Sequence, residues 1–171
     1  MRRMKHSSLT GPLAAVAGLF VPLAALDRRM QRAGGPGIVA FELAGPERGP
    51  RILERWGEDG QRAARASLVL DFPFLVSYTA LGVRLTERAG DVFARHGPRV
   101  LAGLAPAVSA VQVAAGACDA IENSALLGVV ARGGDERLST VAAAAARTKF
   151  AGLTVGWLYG ALALIQRLRL R

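Results

Sequence analysis

The sequence predicts an all-α protein, a four-transmembrane-helix bundle with one longer extramembrane loop. Three observations carry that expectation. Of the 171 residues, 51% are apolar, and they gather into four long runs. The 22 Lys and Arg residues mostly bracket those runs, as the flanks of membrane helices do. Between Arg99 and Arg132, only Asp119 and Glu122 are charged. A helix of that length covers roughly 48 Å, more than the ~30 Å apolar core of a bilayer.

The sequence pI near 11.3 raises nucleic-acid binding as a first idea. The ten aromatic residues sit in or beside apolar runs and the basic residues act as flanks, so nucleic acid is not an expected partner. Cys118 is the single cysteine, which excludes an intramolecular disulfide and a cysteine-rich zinc site. His6 and His96 lie outside the apolar segments, so no metal or cofactor is expected within them. Arginine outnumbers lysine twenty to two in an Ala- and Gly-rich background, which looks like a GC-rich bacterial genome.

The first expected span, residues 9–26, follows a basic start. It resembles a secretory signal peptide, but Pro22 or Leu23 occupies the third position before a cut near Asp27, where a small residue is wanted. The reading is an uncleaved first helix. Residues 27–65 form the one substantial loop, with eight arginines and six acids. Within it, Ala33 to Gly37 reads as a turn, and residues 46–58 as an amphipathic segment offering Ile52, Leu53 and Trp56 on one side. That segment is expected along the membrane surface, with Trp56 at headgroup level; the alternative is that it caps the bundle.

The second span, residues 66–85, is apolar from Ala66 to Val83 except for Asp71, and Pro73 removes one of its helical hydrogen bonds. Asp71, Phe74 or Leu75, and Tyr78 share a face. Residues 84–99 are expected as a short basic connection ending at His96-Gly97-Pro98. The third span, 100–130, carries Ser109, Gln112, Gly116, Asp119 and Asn123 at helical seam spacing, with Glu122 beside them. After a turn at 132–138, the fourth span, 139–166, holds Arg147 and Lys149, then Gly152, Gly156 and Gly160. Those glycines allow close backbone approach, within the bundle or to another protomer.

Four spans place loops 27–65 and 132–138 on one side of a membrane. Asp71, Asp119, Glu122, Asn123 and Lys149 then converge toward that side as an intramembrane polar cluster. Ionisable groups at such depth are costly and face protein or a water-filled cavity. The plain alternative is that Arg147 and Lys149 snorkel to the interface and pair with the acids as structural glue. Three carboxylates against two bases leave one acid that is protonated, hydrated or functional. The basic residues tie at ten on each side. The concentrated basic ends tip both termini toward the cytoplasm of a bacterial inner membrane.

The pattern Phe41-Glu42-Leu43-Ala44-Gly45, then Leu70-Asp71-Phe72, then Asp119-Ala-Ile-Glu122-Asn123 resembles a group of small bacterial four-helix integral membrane proteins. The likeness covers about residues 35–165. It implies the same fold and adds Glu42 as a loop contributor to the cluster. The group has no established activity, so it implies no reaction.

Three functions fit these residues. The first is binding of a lipid or amphipathic small molecule at the carboxylate cluster. The second is a non-enzymatic accessory or assembly subunit, packing through the glycine-rich helix as a homo-oligomer or against a membrane partner protein. The third is proton or ion movement along the polar seam. Ser109, Ser124 and Tyr78 have no histidine partner, which leans against an enzyme. Membrane lipids are the expected partners.

Overall fold

A computed structural model describes residues 8–170, and among them there is no strand. The helices are α1 (Thr10–Arg32), α2 (Ile38–Glu42), α3 (Gly45–His96), α4 (Arg99–Gly103), α5 (Ala105–Ala131) and α6 (Glu136–Leu168). Four of them, α1, α3, α5 and α6, are long and apolar enough to cross a membrane.

The segment expected as a 27–65 loop is mostly helical. It takes in the end of α1, all of α2, the first arm of α3 and the start of that helix's main body. A break at Gly57 (φ 53°, ψ −163°) separates that arm from the main body of α3. The left-handed φ is one that glycine adopts without the steric penalty a Cβ would bring. The first arm caps the helices and does not lie along a surface. Ile52 and Leu53 are buried, and Trp56 is 1% exposed. The Trp56 indole donates to the Pro36 carbonyl at 2.8 Å and its ring lies 4.9 Å from that of Phe41. Of the two arrangements expected for this segment, capping is the one seen, and Trp56, its indole N–H satisfied by backbone, packs as core.

The connection expected at 84–99 is also helical as far as His96. Thr86, Ala89, Gly90 and Phe93 are buried at spacings of three and four, so packing extends the helix until Gly97-Pro98 ends it.

The helix α5 lies between α3 and α6, α6 also meets α3, and α1 packs on α3. The buried apolar side chains form two separate cores. One joins Met30, Phe41, Trp56, Leu68, Leu126 and Val129 near the α1–α3 and α5–α6 connections. The other joins Ala89, Phe93, Val108, Tyr159 and Ala163 toward the far end. Large apolar residues also face outward, including Phe20, Val76, Ile121 and Trp157, the last 78% exposed. What separates the two cores is a polar layer.

Candidate functional site

The polar layer is built around Lys149. Asp135 caps the start of α6, accepting the Leu138 amide at 3.0 Å. From that start, helical phase places Ala142, Ala145, Ala146 and Lys149 on the buried face, where alanines leave room for the lysine stem. The ammonium donates to Asp119 Oδ1 at 3.0 Å and to Glu42 Oε2 at 3.2 Å, and Glu122 Oε2 lies 2.8 Å away. The contact with Glu122 is an ion pair without hydrogen-bond alignment, and neither Glu122 oxygen has a hydrogen-bond partner.

Two further links widen the network. The Tyr78 hydroxyl donates to Asp119 Oδ2 at 2.6 Å. Asn123 Nδ2 donates to Asp71 Oδ2 at 2.7 Å. One ammonium thus serves three carboxyl groups, and a fourth joins them through α5. The layer is closed: Glu122 is 0% exposed, Asn123 1%, Asp119 2%, Lys149 6% and Glu42 8%. Asp71 is half-buried at its edge.

Glu42 reaches this layer because α2 is pinned at both ends. At its start the Ile38 amide donates to Asp27 Oδ1 at 2.7 Å, and Gln31 holds the other Asp27 oxygen at 2.6 Å. At its end Phe41 packs at a tilt against Trp56, and Gly45 (φ 65°) turns the chain into α3. Glu42 and Lys149 are 107 residues apart in sequence.

Of the five residues expected in the cluster, Asp119, Glu122 and Lys149 meet directly and Asp71 and Asn123 form a pair of their own, while Glu42, marked only by resemblance, touches Lys149 directly. Arg147 does not join it: two residues before Lys149, it falls on the exposed side of α6. On the α5 seam, Gln112, Gly116, Asp119 and Asn123 are buried, while Ser109 is half-buried with its hydroxyl unpartnered. Gln112 donates to the Gly152 carbonyl at 3.0 Å, tying α5 to α6. A Cβ at Gly152 would lie 3.0 Å from Ala115 Cβ, and one at Gly156 would run into the Gln112 amide. Gly160 differs, with nothing within 4 Å of a Cβ there.

Sequence reasoning missed the role of Asp27 and left Tyr78 outside the cluster. Tyr78 lies seven residues after Asp71, two helical turns along the same face, which was the available signal. Asp27 carries no such periodic mark. Among the described residues no three His, Cys, Asp or Glu side chains are arranged to hold a metal ion. Comparison with family models, curated proteins and solved structures gives no match, so the site is read from its own geometry.

Proposed function

We propose that the chain is an integral membrane protein whose four long helices form a bundle around a buried proton-holding centre. The observation that supports this most is the imbalance of charge. Lys149 is the single cation among four carboxyl groups, Glu42, Asp71, Asp119 and Glu122. Uncompensated charges in a low-dielectric interior cost several kcal/mol each, so bound protons neutralise the excess. Tyr78 holds Asp119 and Asn123 holds Asp71 in fixed orientations, so each acid has a defined neighbour with which to share a proton. The closed layer gives less support to an amphiphile seated at the cluster, because its polar groups face one another.

The centre lies slightly off the middle of each span. Asp71 is nearer Arg65 than Arg84, and Asp119 nearer Arg132 than Arg99, each by ~10 Å along the chain's helical rise. Proton exchange therefore takes the shorter route, on the side of α2 and the α5–α6 turn. With both termini in the cytoplasm of a bacterial inner membrane, that side is the outer one; reporter fusions at either terminus test the orientation.

The experiment is infrared difference spectroscopy on the protein in vesicles, stepped between acidic and alkaline buffer. A protonated-carboxyl band that changes with pH and is lost in Glu122→Gln supports the centre. A spectrum with no such band identifies the network as a structural pin. Vesicles loaded with a pH-sensitive dye then separate proton storage from proton movement across the membrane.

A further inference from the structure

Outside the polar layer, α3 and α5 diverge to leave an outward-facing groove of about 600 Å³. Its floor is a close contact of the two helices, where a Cβ on Gly116 would run into the Thr79 side chain. Its walls are Leu75, Val76 and Val83 on one side and Val113, Ala117 and Ala120 on the other. The alanines keep it open, and Val76 and Val113, 64% and 55% exposed, form its lips. Along α3 the lining runs from Leu75 to Glu87, or ~18 Å, against ~15 Å for the apolar half of one leaflet.

The two charged residues of the groove are both at one end. Arg84 and Glu87, one helical turn apart, close it where the apolar run of α3 stops. Arg84 also donates to the Ser8 carbonyl, which fixes the start of α1 beside that end. A cation and an anion at the mouth of an acyl-length apolar groove complement a headgroup that carries both charges. An anionic headgroup would meet Arg84 favourably and Glu87 unfavourably.

We propose that this groove seats one acyl chain of a zwitterionic phospholipid, with its phosphate at Arg84 and its ammonium at Glu87. The inference rests on the membrane reading but not on the proton-holding centre, none of whose residues lines the groove.

The test uses the full chain in nanodiscs of equal phosphatidylethanolamine and phosphatidylglycerol, followed by native mass spectrometry of the lipid retained. Phosphatidylethanolamine should be retained preferentially. Ala117→Trp, on an exposed part of the wall, should lower retention about tenfold, or ~1.4 kcal/mol. Glu87→Gln should move the preference toward phosphatidylglycerol, and Arg84→Gln should weaken retention of both. Because Glu87 is exposed, its variant keeps the test informative even where Ala117→Trp misfolds. Unchanged retention in Ala117→Trp, or an unchanged headgroup ratio in Glu87→Gln, overturns the proposal. A chain that stays soluble without detergent would overturn the membrane reading instead, so the two failures are distinguishable.

Discussion

Lys149 and Asp119 lie 30 residues apart in the chain and 3.0 Å apart in space. Both are buried, so their pairing is of the kind whose rupture leaves an uncompensated charge. Lys149→Met should cost ~3–5 kcal/mol in detergent unfolding. Adding Glu122→Gln should recover part of that loss, since one fewer carboxylate is then left without its cation. A double variant no more stable than the single one would show that Lys149 is not what balances Glu122.

Gly156 and Gly160 should respond differently to the same substitution. Gly156→Leu drives a side chain into the Gln112 amide, and overpacking of this kind costs ~1–3 kcal/mol. Gly160→Leu enters open space and should stay within ~0.5 kcal/mol for the monomer. Thermal denaturation in detergent measures both. A changed oligomeric state in Gly160→Leu alone would identify that position as a contact between chains.

The two tryptophans offer a test of embedding. Trp157 is 78% exposed on an apolar face and Trp56 1% exposed in the core. In vesicles with brominated acyl chains, Trp157 fluorescence should be quenched strongly and Trp56 fluorescence weakly, measured on Trp→Phe variants that each retain one indole. Equal quenching would contradict the burial of Trp56.

Acid should loosen the start of α6. The Leu138 amide and then Arg132 hold the Asp135 carboxyl below its ordinary value of 3.8. A depressed folded-state pKa contributes stability above the unfolded value and loses it as pH falls through the folded one. Stability should therefore decline below about pH 4, and Asp135→Ala should remove that part of the decline. Unfolding midpoints between neutral and strongly acidic buffer check it; superimposable profiles would remove the cap from the account.

Periodicity and charge placement made much of this fold legible. The α5 seam was readable because polar residues recur every three or four positions in an otherwise apolar helix, and its buried members follow that spacing. The flanking arginines marked where each apolar run ended. Periodicity says which residues share a face, but not which neighbour the face meets. The partners of Lys149 could therefore be narrowed but not chosen, and Arg147, a plausible partner by position, turned out on the exposed side. Residues 27–65 were the hardest to read. Their charges look like those of a solvated loop, yet Trp56 and Phe41 pack together at the core and Asp27 reaches eleven residues forward to cap α2. Those contacts depend on tertiary placement, for which local composition has no signature. In the same way, Gly57 marks a break between two helical arms that hydropathy alone joins to the surrounding polar loop.

The position of Lys149 near the carboxyl end also sets an order on biogenesis. Ribosomes build the chain from its amino end, so all four acids emerge before the one base that serves them. The gap from Glu42 to Lys149 is 107 residues, roughly 5–20 s of translation. During that interval α2, α3 and α5 acquire acids whose cation does not yet exist. Arrival of α6 supplies it, which makes that helix the keystone of assembly.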